Sequence, residues 1–232
     1  MFKSYKGKLF CFSPPVMLAT LLVEIGLAVY TLWRYKTSNL TKLVVLLLVL
    51  LGIFQLAEYM VCGGLGLSGV DWSRVGFIAI TLLPPLALHS VFEIAGKKNR
   101  PLIVSAYVGA VIFTGYFALA SSALTGNQCL GNYVIFQMPL WVTWLYTLYY
   151  YGWIIGGTWK SIRFAKGTKD VRKRRALYLF ATGFVSFLLP TTTINLLAPE
   201  TINGIPSIMC GFAIIFALII TIGVLPRVAT RR

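Results

Sequence analysis

The sequence predicts an all-α integral membrane protein of seven transmembrane helices, and three observations carry that prediction. Hydrophobic residues make up 58% of the 232 positions and charged ones 12%, with a mean hydropathy of +0.80, which excludes an ordinary soluble domain. Seven apolar stretches recur, each of roughly 20 residues and so long enough to cross a hydrocarbon core at about 1.5 Å per residue. The basic residues behind the net charge of +15 lie between or at the edges of those stretches.

Their distribution sets an orientation. Lys3, Lys6, Lys8 and Arg74 fall on one side, and the other 17 of the 21 Lys and Arg fall in the alternate connections and at the C-terminus. Short loops rich in Lys and Arg stay cytoplasmic, so the N-terminus is expected outside and the C-terminus in the cytoplasm. The expected partner is the lipid bilayer, with about 1 kcal/mol per basic residue from anionic headgroups. Nucleic acid is not expected, since the basic residues form no face interleaved with polar and aromatic ones.

The whole chain, 1–232, reads as one membrane domain. The first span, 14–33, follows Ser13, a capping hydroxyl, and opens with Pro14 and Pro15, where a missing N–H does no harm. A cleaved signal peptide is not expected, because the apolar run is longer than an h-region and Glu24 interrupts it. The second span, 41–61, is almost pure Leu and Val until Gln55, Glu58 and Tyr59, and a glycine-rich turn follows. The third, 74–95, holds Pro84 and Pro85 at its middle, then His89, the only histidine, and Glu93, before Lys97, Lys98 and Arg100.

The fourth span, 102–123, leads into an uncharged connection containing Cys129. The fifth, 138–159, carries Trp141, Trp144, Tyr146, Tyr149, Tyr150, Tyr151 and Trp153. Two interfacial belts need fewer rings, so some of these are expected to pack inside the bundle or line a cavity. A basic loop, Lys160 to Arg175, precedes the sixth span, 175–197, where Pro190 is followed by three threonines suited to the carbonyls it frees. The seventh span is 204–225.

The third span opening W-S-R-V-G-F-I-A-I-T-L-L-P-P-L, the fifth span P-L-W-V-T-W-L-Y-T-L-Y-Y-Y and the sixth span R-R-A-L-Y-L-F-A-T-G-F-V-S-F-L-L-P together resemble the seven-helix sensory region at the amino terminus of some bacterial histidine kinases. The likeness runs over nearly the whole chain. It implies a sensory or ligand-binding bundle in a bacterial inner membrane. These 232 residues carry no kinase domain, phospho-accepting histidine domain or ATP site, so output would pass through a separate cytoplasmic signalling partner.

Ionisable groups inside a span cost about 2.5–3.5 kcal/mol for a central Asp, Lys or Arg and mark function or a paired interior. Four stand here, Glu24, Glu58, His89 and Glu93, at depths that differ when counted from the span ends. Gln55, Glu58, Tyr59 and Cys62 follow i, i+3, i+4, i+7 spacing and share one helical face. Glu24 has no basic residue within reach on its own helix; it is expected to be protonated or bonded to a neighbour such as His89, itself as readily a bonded structural residue as a ligand. Glu93 has Lys97 at i+4 and is expected to pair with it near the cytoplasmic surface. One histidine and carboxylates at unequal depths make a poor zinc set, and no metal or other cofactor is expected.

Of the four cysteines, Cys62 and Cys129 lie beside flexible turns on the same expected side and are the expected disulfide, with Cys11 the competing partner; spacing does not decide between them. The expected ligand site is an outward-opening pocket between Gln55, Glu58, Tyr59 and the face of Trp141, Trp144 and Tyr151, with Glu24 and His89 deeper. It joins an aromatic wall to a few polar groups, although structural packing explains the same residues. An enzyme is not expected, for lack of a nucleophile motif or an acid pair at common depth. The seventh span has no lysine, which excludes a covalently bound retinal. A small-molecule or ion transporter or channel is the alternative to a sensor, and the oligomeric state, a homo-oligomer included, stays open.

Overall fold

The computed structural model describes residues 14–63, 66–129 and 134–232, without the side chains of Pro14 and Glu200. Ser13, Cys11 and the three N-terminal lysines lie outside the described residues. The chain runs through α1 (Pro14–Arg34), α2 (Asn39–Gly63), α3 (Gly69–Thr81), α4 (Leu83–Ala95) and α5 (Arg100–Leu119). A hairpin of β1 (Gly126–Cys129) and β2 (Val134–Gln137) follows, then α6 (Leu140–Gly167), α7 (Val171–Leu197) and a 3-10 turn over Pro199–Gly204. The last rod is α8 (Ile205–Leu218), a π-helical segment Ile219–Val224 and α9 (Leu225–Val228).

Six helical rods are long and apolar enough to cross a membrane: α1, α2, α3 with α4, α5, α7, and the rod from Thr201 to Val228. They support a multi-pass membrane protein. At 28 residues α6 is long enough as well, but its Tyr, Trp and Gly content lowers its hydropathy, and it is not among the six.

Connections alternate between two ends of the bundle. At one end a disulfide joins Cys62 to Cys129 with their Cα atoms 5.8 Å apart, and Gly69 packs on Asn127 without room for a Cβ. The Val134 amide donates to Ser207 Oγ at 3.2 Å at that same end. At the other, Lys36 N–H donates to Thr230 O (2.9 Å) and Arg232 N–H to Arg34 O (3.1 Å), tying the C-terminus to the α1–α2 turn. The first is called here the hairpin end and the second the basic end.

Each rod buries a stripe that its sequence dictates. In α1 it is Met17, Thr20, Glu24, Ala28, Thr31 and Tyr35, at helical spacing. In α5 only Ala106, Ala110 and Phe117 are buried, so most of its surface faces outward. Close approach uses glycine: a Cβ on Gly52 of α2 would sit 3.0–3.3 Å from Ile25 and Leu21 of α1.

Several boundaries differ from the sequence reading. The third span starts at Gly69, because Ser68 Oγ accepts the Asp71 amide (3.2 Å) and donates to the Asp71 carboxylate (2.6 Å), a capping arrangement five residues upstream of the expected start. The fourth span, α5, ends at Leu119, and the connection after it forms an unforeseen hairpin pairing Gly126 with Gln137 through Cys129 with Val134. Lys160 to Arg175 is not a loop. Good helix formers carry α6 on to Gly167, Asp170 caps α7 by accepting from the Arg172 and Lys173 amides, and only three residues turn between them.

The proline pair splits the third rod. Pro84 and Pro85 fall in the first turn of α4, after a break at Leu82, where their missing N–H groups are least harmful. Pro85 leaves the Thr81 carbonyl without its i+4 donor, and the Tyr149 hydroxyl of α6 donates to it at 2.8 Å. Thr81 Oγ1 donates to Phe77 O (2.6 Å) and lies 3.1 Å from the Tyr146 hydroxyl. In α7 the helix runs through Pro190, with Thr191 donating to Phe187 O (2.7 Å). The π segment contains Ile222, four residues before Pro226, whose carbonyl lacks its α-helical donor, and the Arg227 side chain donates to the neighbouring Gly223 carbonyl.

Candidate ligand cavity and buried carboxyl pair

The fold gives each acid of known side-chain placement a distinct environment. Asp170 caps α7, and Asp71, in the first turn of α3, accepts from the capping Ser68 hydroxyl and lies 3.8 Å from Arg74. Glu93 does not pair with Lys97: its Oε1 is 3.7 Å from His89 Nε2, and the Lys97 ammonium sits 4.9 Å over the Phe164 ring of α6. The α4 helix ends at Gly96, in the left-handed region, so Lys97 leaves the helical register that the i+4 pairing requires.

Glu24 and Glu58 are different. Their relative exposures are 0% and 2%, and among the described residues neither has an ion-pair partner. Both Glu24 oxygens and Glu58 Oε1 lack a hydrogen-bond partner. Ser207, at the start of α8, accepts the Val134 amide and lies near the Glu58 carboxyl, so the acid stands close to the hairpin tie. The two carboxyls are close enough to interact electrostatically, and both act on Cys210, one turn along α8 from Ser207.

The carboxyls stand at unequal depth by count from the helix ends, yet the bundle brings them within range. Gly52 lets α1 press against α2 at Leu21 and Ile25, which puts Glu24 near the level of Gly52, with Gln55 between it and Glu58 along α2. Gln55 is 2% exposed with Nε2 unpartnered, while Tyr59, next on the expected face, is half-buried against the core. His89 does not reach Glu24; its Nδ1 is 3.3 Å from the Tyr107 hydroxyl of α5, on the side of α4 away from α1.

A cavity lies beside this cluster. It has about 510 Å³ of empty space including its mouth, and is walled by Tyr146, Tyr150 and Tyr151 of α6, Phe77 and Ile80 of α3, and Met209 and Cys210 of α8. Met138, Asn203 and Pro206 place its mouth at the hairpin end. A second, tighter cavity shares Tyr150, Met209 and Cys210 with the first and continues inward to Leu83, Pro84 and Phe187. The walls are apolar with few polar groups, the composition of a small-molecule site.

Of the expected site residues, the structure brings together Glu24, Gln55 and Glu58 as a polar cluster, and places Tyr151 on the cavity wall. Trp141 and Trp144 do not join them. They are 59% and 60% exposed and share an outward stripe with Leu145, Leu148, Ile155 and Trp159, one ring of Trp141 resting on Tyr116 (centroids 5.9 Å). Tyr146 and Tyr150, named among the fifth-span rings but left out of the expected site, line the cavity with Thr143 and Thr147, which the sequence reading passed over; their 3–4 spacing on the opposite face of the same helix was the available signal. It also passed over Ser207, Met209 and Cys210. Among the described residues no three of His, Cys, Asp and Glu converge as a metal would need. Comparison with family models, with curated proteins and with solved structures finds no match to this chain.

Proposed function

We propose that the chain is a seven-span receptor-like protein of a cell membrane, with its N-terminus outside and C-terminus in the cytoplasm, that binds a small, largely apolar ligand and acts through a separate partner. The observation that carries this reading is the hydroxyl-bearing aromatic cavity, whose lining includes Met138, Asn203 and Pro206 at the hairpin end. With α6 as a seventh span, the alternating connections put the basic residues of 34–42, 97–100, 160–175 and 227–232 at one end, as the positive-inside rule requires of a cytoplasmic face. The mouth then faces outward. A bacterial inner membrane and a kinase-like partner follow from the sequence resemblance alone.

The test is thermal stability of the purified protein against a panel of flat apolar and aromatic amphiphiles, repeated with Thr147→Trp, which fills the cavity from its wall. A binding compound should raise the Tm of the parent and leave the variant unmoved. An equal shift in both would place the ligand elsewhere and overturn the reading. Transport is the second reading, and the inward continuation of the cavity past Tyr150 favours it. Uptake of the same compound into proteoliposomes, abolished by Thr147→Trp, would establish it.

A further inference from the structure

We infer that the Glu24, Gln55 and Glu58 cluster is a binding site for a small monovalent cation, a proton or Na⁺, separate from whatever the cavity takes. The argument starts from charge. In a chain with 21 basic and 6 acidic residues, two acids are buried in the apolar interior at the meeting of α1, α2 and α8. Two bare carboxylates cannot stay there: a buried charge without a partner costs several kcal/mol, and a second like charge nearby adds to it. Something positive must accompany them.

The surrounding elements supply no such charge among the described residues. Cys210 is the titratable side chain facing the pair from α8. On α3, Arg74 is engaged with Asp71; on α4, His89 and Glu93 face each other and Tyr107. Cys129 of β1 is held in the disulfide. Hydrogen bonding gives an independent indication. Three carboxyl oxygens have no donor, and the Gln55 amide, on the face of α2 between the two acids in depth, is buried with Nε2 unpartnered. A side-chain amide exchanges its oxygen and nitrogen by a flip, so Gln55 can turn an acceptor toward a cation or a donor toward a carboxylate.

The donor set selects among cations. All the unpartnered acceptors are oxygens, which suits a hard ion or a proton and not a thiolate- or imidazole-seeking metal. Two carboxyls carry enough charge for one or two monovalent ions. Ser207, which accepts the Val134 amide of the hairpin, stands near Glu58 at the start of α8, so the site lies next to the hairpin end.

The experiment uses the full chain in lipid nanodiscs. Tm is read against Na⁺ at constant ionic strength with K⁺ or choline replacing it, and separately against pH, for the parent, Glu24→Gln, Glu58→Gln and the double variant. If Na⁺ is the ion, the parent shows a saturable rise of roughly 5–10 °C at about 100-fold excess over Kd, absent from the double variant. If the ion is a proton, the folded pair holds a proton that the unfolded chain has released, so stability falls as pH rises, and Gln substitution flattens that slope. Infrared spectra of the parent, following the protonated carboxyl band with pH and Na⁺, give the same answer without relying on a variant that folds. A parent indifferent to both Na⁺ and pH in Tm, with no carboxyl band responding to either, would overturn the inference.

Discussion

Tyr149 shows how a single side chain holds the break that shapes this bundle. Pro85 removes the donor of the Thr81 carbonyl, and the Tyr149 hydroxyl replaces it from the facing helix. Tyr149→Phe leaves that carbonyl unsatisfied and is expected to cost about 1 kcal/mol in unfolding free energy. Tyr146→Phe should cost less, because the Thr81 hydroxyl it meets already bonds Phe77 O. Denaturant unfolding of the two variants in mild detergent checks the order; a neutral Tyr149→Phe would mean that water serves the carbonyl. At this scale the sequence was informative where periodicity ruled. The face of Gln55, Glu58 and Cys62 was legible from spacing alone. The approach of Glu24 to Glu58 was not, because it depends on how far α1 slides along α2, which is set by packing at Gly52. Trp141 and Trp144 were misplaced by counting rings over the whole of α6 instead of dividing them by face. The exposed stripe also carries Leu145, Leu148 and Ile155, whereas the hydroxyl-bearing Thr143, Thr147 and Tyr150 turn inward.

Among the elements, the hairpin is the part least legible beforehand and most connected afterwards. Its strands are four residues each, with Val134 and Phe136 buried and Gln137 exposed, too short an alternation to stand out from a linker. Three ties fix it: the disulfide to the end of α2, Gly69 against Asn127, and the Val134 amide on Ser207. The bridge closes a sequence separation of 67 residues, and Cys62→Ser or Cys129→Ser is expected to lose about 2–4 kcal/mol. The pair of substitutions together should cost no more than either alone. A thermal melt with and without reductant measures it, and a parent unaffected by reduction, with both thiols shown free by alkylation, would contradict it. The proline break in the third rod, in contrast, was plain in the sequence. So were the helices themselves, whose apolar lengths need no tertiary information. Their ends were missed wherever a side-chain cap or a run of good helix formers outweighed hydropathy, as at Ser68 and over Lys160 to Gly167.

For the whole molecule, the account rests on one cavity that opens at the end opposite the basic residues. Composition and hydropathy made the membrane class legible. What hydropathy leaves open is α6, whose tyrosines and tryptophans both wall the cavity and lower its apolar score. If α6 crosses the membrane, Asn203 at the cavity mouth and Lys169 in the α6–α7 turn lie on opposite sides. The direct measurement is labelling of introduced cysteines in intact cells with a membrane-impermeant maleimide, using Asn203→Cys and Lys169→Cys, each in a Cys11→Ser, Cys210→Ser background that keeps the Cys62–Cys129 disulfide. The account predicts that Asn203→Cys labels in intact cells and Lys169→Cys only after permeabilisation. Labelling of both from outside, or of Lys169→Cys alone, would contradict the seven-span orientation and the outward-facing mouth with it.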